Sequence, residues 1–497
     1  MSTSSKENVI LFPFMAQGHL IPYLALALKI QSKFDYTVTI LNTPLNIQKL
    51  QKSLPPNTPN INLVSLPYCS SDHNLPPNSE NTDVLPYTIM INLLDSLPSL
   101  KPHFHKYISD LVKLNTPPLC IIADWFFGWT VEVAKEFEIF HSVFNTGGAY
   151  GMAIYYSIWL NQPQLQNEAE DEFLLPDFPQ DLRIHRSQLA NNVLQATGSD
   201  SWSLFYKREL SQTLSSDGFL FNTVEEFDQV GLTYFRSKLG QDSVWGVGPV
   251  SDYSMSLKSR ASNGTSSDLS IQWLDNQDEN SVLYISFGSQ NTISSTQMME
   301  LAIGLEKSDK NFIWVVRPPL GHDINGLFRS EWLPDGFEER MKAKNRGLLM
   351  RKWAPQLEIL SHKATSVFLS HCGWNSILES FSLGVPIIGW PISADQYNNS
   401  MLLEEEIGVC VELARGNRNE IRHEDVVRVI DLVMSNESKK GAEMRSKACE
   451  VKKMIENAIR EEEGFKGSSV KGLEAFFAMA LLRKKKMKMD QTMVTEN

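Results

Sequence analysis

WAPQLEILSHKATSVFLSHCGWNSILESFSLGVPIIGWPISADQ, residues 353–396, decides how this chain is read. Two short apolar runs, 367–370 and 385–389, each lead through a polar turn toward a helix-forming stretch. Such runs, bounded by turn signals and alternating with helices, read as buried strands of a parallel sheet. Residues 375–383 form the intervening helix, and Gly384 ends it. Each turn is rich in hydrogen-bonding groups: His371, Asn375 and Ser376 in one, Asp395 and Gln396 in the other. Open α/β sheets bind ligands at the carboxyl ends of their strands, so polar side chains gathered there point to a binding site.

The alternation continues outward. Residues 281–287 and 312–316 read as strands, and 296–307 as a helix opened by a capping box of Ser294 and Gln297. The first half repeats the pattern, with strands at 9–14, 37–41, 61–66, 119–123 and 141–144 and helices such as 20–33 and 129–137. Proline-rich passages at 67–86 and 163–179 read as loops long enough to be functional. Residues 251–270 (SDYSMSLKSRASNGTSSDLS) are serine-rich and nearly free of apolar residues, the composition of an interdomain linker. A chain of 497 residues is too long for one ordinary core. The expected division is therefore a Rossmann-like domain at 1–250, the linker at 251–270 and a second such domain at 271–462. Residues 463–497 then form a last helix, packing back on the first domain, and a tail with the basic run Arg483, Lys484, Lys485, Lys486 and Lys488.

Hydrophobic content of 42% and charged content of 21% are globular values. A formal net charge of −12 argues against nucleic acid or anionic lipid as partner, and any anionic ligand must be captured by local dipoles. The five cysteines are scattered without metal-ligand spacing and read as reduced thiols of a cytoplasmic protein. The apolar segment 9–30 is interrupted by Gln17, Gly18 and His19 and follows Lys6 and Glu7, so it reads as strand and helix and not as an export signal. No run reaches the roughly 18 apolar residues of a membrane span. The expectation is a cytoplasmic monomer with no stable membrane insertion.

Two residues stand at strand ends in the first half. His19 follows the first strand, ahead of a helix carrying Pro22 in its first turn, where proline is tolerated. Asp124 follows the strand Cys120-Ile-Ile-Ala. Parallel strands bring both to one rim of the sheet. A histidine there can take a proton near neutral pH, and a carboxylate on its other nitrogen fixes the tautomer.

The 353–396 box resembles, nearly position for position, the signature of plant family-1 UDP-dependent glycosyltransferases, and the resemblance runs along most of the chain. It implies the GT-B architecture, α/β with two facing Rossmann-like domains and a cleft between them. A UDP-sugar asks for an aromatic platform, a ribose acceptor, donors for a diphosphate and partners for sugar hydroxyls. By the resemblance, Trp353 stacks on uracil, Ala354 and Gln356 meet its edge, and Glu379 takes the ribose diol. His371, Asn375, Ser376 and Ser289 hold phosphate oxygens, aided by the positive end of the helix beginning near Asn375. Asp395 and Gln396 grip the sugar, with Trp374 beside them and Thr146 on its 6-hydroxyl; glutamine at the last position goes with glucose. His19 is the implied general base and Asp124 its orienting partner. One in-line displacement inverts the anomeric centre and gives a β-glucoside. The sequence has no Asp-x-Asp, so neither a metal nor another cofactor is expected.

Taken singly, Trp353 and Trp374 are better explained as core aromatics and Glu379 as a solvated residue, and Asn375 and Ser376 are as well explained as helix caps. The ensemble at these offsets is not. On the acceptor side the candidates are Gln17, Gly18, Trp125, Phe126, Phe144, Asn145 and Tyr150. These aromatics suit an apolar pocket for a phenolic, flavonoid or terpenoid and equally a packed core, and Asn145 departs from the aromatic that many relatives carry. A nicotinamide-dependent oxidoreductase would show G-x-G-x-x-G after the first strand, where this chain has Phe-Met-Ala-Gln-Gly-His. A non-catalytic UDP-sugar binder could dispense with His19 and Asp124. Transfer to a sugar of an existing glycoside stays open beside transfer to a hydroxyl or carboxyl of an aglycone.

Overall fold

The computed structural model describes residues 6–56, 58–166, 170–251, 269–351, 354–416 and 419–495. Trp353 and all but the ends of the 251–270 stretch lie outside them.

The chain divides into two compact units. The first comprises Met1–Ile184, Asn192–Ser251 and Ala458–Asn497, and the second His185–Asn191 and Asp252–Asn457. The return to the first unit thus begins at Ala458, a few residues before the position read from sequence.

The strands of the first unit's sheet are β1 (Asn8–Phe12), β2 (Thr37–Asn42), β3 (Ile61–Ser65), β4 (Cys120–Ala123) and β5 (Phe140–Asn145). After two short strands that pair with each other, β6 (Glu172–Leu174) and β7 (Arg183–His185), come β8 (Gly218–Phe221) and β9 (Val244–Gly246). Their order is β3-β2-β1-β4-β5-β8-β9, and every neighbouring pair is parallel. The inner strands are buried along their length, as a sheet covered by helices on both faces requires.

On one face the helix Gln17–Phe34 packs Leu20, Tyr23, Leu26 and Ile30 against Val9, Leu11, Cys120 and Ile122. The last helix, Ser468–Thr495, completes that core with Leu473, Phe476, Phe477 and Ala480. Phe476 meets Trp245 edge-on at 5.4 Å and Phe140 at 5.7 Å. Burying each such ring stabilises by about 1.5–3 kcal/mol. Lys33 adds ion pairs to Glu461 at 2.7 Å and Glu474 at 2.9 Å.

The second unit's sheet has six strands: β10 (Val282–Ser286), β11 (Asn311–Val315), β12 (Gly347–Met350), β13 (Thr365–Ser370), β14 (Ile387–Gly389) and β15 (Cys410–Glu412). Their order is β12-β11-β10-β13-β14-β15, again parallel throughout. The capping box forms as its spacing requires: Ser294 accepts from Gln297 N–H, Gln297 reaches back to Ser294 N–H, and the helix runs Ser295–Lys307. The helix of the signature stretch runs Trp374–Leu383, starts one residue earlier than expected with Gly373 as N-cap, and ends at Gly384 with φ of 77°. Both sheets are thus doubly wound and Rossmann-like, the two halves of a GT-B fold.

Candidate active site

Each sheet changes winding direction once, between β1 and β4 in the first unit and between β10 and β13 in the second. Exit turns diverge at such a switch point, leaving a crevice at the carboxyl ends of the strands. His19 and Asp124 follow the two strands that flank the first switch point, and Ser289 and His371 those that flank the second.

In the first unit, Phe12 of β1 pairs with Ala123 of β4, so both chains leave the sheet side by side. His19 lies within the first turn of the helix Gln17–Phe34, its N–H on the Ala16 carbonyl at 2.9 Å. Because this helix starts at Gln17, Pro22 falls in its second turn and not in the first as expected. Asp124 caps the short turn Trp125–Phe127. His19 Nδ1 sits 2.7 Å from Asp124 Oδ2. The Asp124 side chain is 0% exposed and the imidazole 21%. Backbone N–H groups of Phe14 and Phe126 approach the carboxylate at 3.4 and 3.5 Å, and Thr146 Oγ1 lies 3.3 Å from the same histidine nitrogen. A carboxylate only accepts hydrogen bonds, so Nδ1 carries the proton and Nε2 keeps its lone pair for chemistry.

Phe14 and Phe126 stack at 3.8 Å and present edge-on contacts to His19 at 5.4 and 5.6 Å. Phe126 was among the sequence candidates. Phe14 was not, although it closes the first apolar run five residues before His19. Gln17 and Gly18 precede His19 in the same turn, and Gly18 is exposed. Trp125 stacks on Phe126 at 3.7 Å.

Three acceptor-side candidates turn inward. Phe144 is fully buried on the face of β5 that meets the helix Gln17–Phe34, edge-on to Tyr23 at 5.0 Å, so it belongs to the core. Tyr150 is fully buried in the helix Ala149–Asn161, whose first turn packs tightly against Gly231. Asn145 is fully buried as well, with both side-chain amide atoms lacking a hydrogen-bond partner among the described residues.

In the second unit, Ser286 of β10 pairs with Ser370 of β13, which brings the turns at 287–289 and 371–373 together. The His371 ring lies over two glycines. A Cβ on Gly288 would come within 2.8 Å of its Nε2, and one on Gly373 within 2.4 Å, so neither site has room for a side chain. Gly288 also has φ of 77°, which favours glycine. Between His371 and Gly373, Cys372 adopts φ of 61°, held by Ser370 Oγ on its N–H at 3.2 Å and by Asn399 Nδ2 on its carbonyl at 3.1 Å. Burial opposes charge on His371 and lowers its pKa to about 4, against a hydrogen bond to the Ser286 backbone that raises it. At neutral pH this imidazole is uncharged.

Asn375 and Ser376 stand in the first turn of the helix Trp374–Leu383, at its positive end. Gln356 Nε2 donates to Ser376 Oγ at 3.1 Å and to Glu379 Oε2 at 2.6 Å, while Tyr284 O–H donates to Gln356 Oε1 at 3.2 Å. One network therefore joins the base-edge, phosphate and ribose candidates, and Tyr284, unflagged in the sequence, anchors it from β10. Ala354 and Trp374 are buried, and Ser289 is exposed in the turn after β10. Asp395 precedes the helix Gln396–Met401 and accepts from Asn399 Nδ2 at 3.0 Å. Gln396 Oε1 accepts from the N–H groups of Ile392 and Ser393 at 3.0 and 2.9 Å. The grip expected of Gln396 is thereby narrowed, since its carbonyl is taken by backbone and its Nε2 is the group left to meet a hydroxyl.

The family profile described as UDP-glucoronosyl and UDP-glucosyl transferase matches residues 188–454. UDP-glycosyltransferase 92A1 of Arabidopsis thaliana is 47% identical over 488 residues, spanning 96% of this chain and 98% of its own. Crocetin glucosyltransferase 3 of Crocus sativus is 43% identical over 487 residues, spanning 96% and 99%. The crystal structure of Glycyrrhiza uralensis UGT73P12 complexed with glycyrrhetinic acid 3-O-monoglucuronide aligns with a TM-score of 0.82 at 28% identity, over 99% of this chain and 100% of that one.

Proposed function

The chain belongs to the UDP-glucoronosyl and UDP-glucosyl transferase family and is a plant family-1 UDP-glycosyltransferase, and from that premise we propose an inverting glucosyltransferase that uses His19 as its base. Enzymes of this kind move a sugar from a UDP-sugar to a small metabolite. The donor proposed here is UDP-glucose, and the acceptor a hydroxyl or carboxyl of a small apolar plant metabolite of phenolic, flavonoid or terpenoid type. The observation that carries the reading is the His19–Asp124 pair at 2.7 Å, with the carboxylate buried and the imidazole reachable.

In the proposed step, His19 Nε2 takes the acceptor proton as the acceptor oxygen attacks the anomeric carbon from the face opposite UDP. Asp124 holds the ring and stabilises the imidazolium that forms. The bond to the UDP oxygen breaks, and the departing diphosphate is met by N–H groups at the start of the helix Trp374–Leu383 and by the neutral His371. A donor with an α linkage then gives a β-glucoside. Glu379 and Gln356 orient the ribose end, and Asp395 with the Gln396 amide the sugar. The developing charge is met by dipoles and N–H groups, so the reaction is proposed to proceed without a metal.

The relatedness to a crocetin glucosyltransferase supports an apolar acceptor. A second reading, extension of an existing glycoside, draws on the glucuronide bound to the Glycyrrhiza enzyme. Among the described residues no helix is long and apolar enough to cross a membrane. The proposed setting is the cytoplasm, with the enzyme acting as a monomer.

The test is turnover of UDP-glucose with phenolic, terpenoid and glycoside acceptors, in EDTA, for wild type and His19→Ala. A product heavier by one hexose, formed in EDTA and lost in His19→Ala, is the expected result. Equal rates in the two proteins would remove His19 from the mechanism. Reaction confined to glycoside acceptors would select the second reading.

A further inference from the structure

At the carboxyl ends of β11 and β12, away from the switch point, the second unit has a partly open pocket of about 260 Å³. It is lined by Val316, Arg317, Pro318, Asn325, Phe328 and Arg351, among others. Arg351 is satisfied. Its two terminal nitrogens donate to the two oxygens of Glu338, and its guanidinium lies over the Phe328 ring at 5.8 Å. Arg317 differs. It is half-buried, its Nε is buried with no hydrogen-bond acceptor, and no ion pair reaches it among the described residues. Burial alone depresses its pKa, with no carboxylate acting in the opposite direction.

A guanidinium offers up to five N–H donors in a planar fork and stays charged in proteins. Leaving a buried N–H donor such as Nε without an acceptor costs its full desolvation penalty, and a ligand oxygen placed on it would offset that cost. The chain as a whole carries −12, so a cationic cavity is a local exception to its field. At about 30 Å³ per water, the space holds roughly eight water-sized volumes, more than a bare anion needs.

We propose that Arg317, beside the Arg351–Glu338 pair, forms an oxyanion site distinct from the UDP site. Its ligand class is a phosphate group, free or carried by a small phosphomonoester. The planar fork of Arg317 meets two phosphate oxygens, and the cavity lining is mostly polar, as an oxyanion requires. Arg351 precedes Ala354 by three positions, so the occupant lies at the foot of the segment that carries the uracil-edge candidates.

The test is calorimetric titration of inorganic phosphate, and separately of a hexose monophosphate, into the full chain saturated with UDP, which closes the diphosphate site to both probes. Wild type is expected to bind one equivalent saturably. Arg317→Met is expected to weaken binding at least tenfold, and Arg317→Lys, which keeps the charge but not the fork, by less. Tighter binding of the monophosphate than of free phosphate would identify a phosphomonoester ligand, and the reverse order the free ion. An absence of saturable binding by wild type, or equal affinity in folded Arg317→Met, overturns the proposal. UDP affinity measured on the same samples reports separately on the nucleotide site, so the failure of one reading does not mask the other. Should Arg317→Met not fold, Arg317→Gln supplies the same comparison.

Discussion

Two histidines stand at the switch points of the two units, His19 after β1 and His371 after β13, the counterpart of β4, and they are chemically opposite. His19 is reachable and bonded at 2.7 Å to a carboxylate whose oxygens also face two backbone N–H groups. His371 rests on two glycines with no ion pair to an acid among the described residues, and burial holds it neutral. Neighbours decide the difference. A buried carboxylate makes an imidazole a base that tolerates becoming charged, whereas a tight glycine floor makes it a fixed neutral group. Fold position alone therefore says where a histidine stands, and its contacts say what it does.

The sharpest way to break this comparison is to remove each ring. His19→Ala should lower kcat by about 10²–10⁴-fold, whereas His371→Gln, which keeps a neutral N–H, should cost roughly tenfold, the worth of about one hydrogen bond. Steady-state kinetics with UDP-glucose would show it, and equal losses would mean that the two rings share one role. Next in size is Asp124→Asn, expected to cost about 10²-fold in kcat with little change in the KM for donor, because an amide can present its N–H to Nδ1 and favour the wrong tautomer.

A third experiment reads stability. Burial lowers the pKa of His371 to about 4 and that of His141, which bonds Thr130 and Ser216, to about 3. The unfolded chain takes up these protons near 6.5 and the folded chain does not. Stability from both groups is therefore complete above about pH 6.5 and is lost as pH falls toward about 4 and about 3. For His371 the full effect is of order 3 kcal/mol. Urea unfolding at a series of pH values should show a slope that flattens in His371→Gln and in His141→Gln. An unchanged slope in both would mean that neither ring is held neutral by burial.

The smallest effect belongs to the glycine floor. Gly373→Ala should destabilise by about 1–3 kcal/mol and weaken UDP binding, since its Cβ would meet the His371 ring at 2.4 Å. A variant as stable as wild type would show that the imidazole moves aside freely.

Much of this was legible in the sequence because local chemistry and global fold agree. The Ser294–Gln297 capping box, Gly384 as helix end and the order of strands and helices each follow from a few adjacent residues. The proximity of His19 and Asp124 was legible for another reason: consecutive units of a doubly wound sheet return their strand ends to one rim. What escaped was the direction of side chains. Both faces of such a sheet are apolar, so periodicity could not tell that Phe144 points into the core while Phe14 and Phe126 flank the imidazole. Nor could it reveal that backbone N–H groups claim the Gln396 carbonyl, because that depends on the turn geometry at Ile392 and Ser393.

The last helix carries one more consequence, for biosynthesis. Phe476, Phe477 and Ala480 lie in the core of a sheet whose strands are all made before residue 247, with nearly all of the second unit, Asp252–Asn457, synthesised in between. While the ribosome is still translating that unit, the first one exposes the apolar face that those residues will cover. The second unit can close on itself as it emerges, but the first must wait for the end of the message. Nascent chains stalled shortly before residue 473 should therefore expose an unfinished first half to chaperones beside a finished second half.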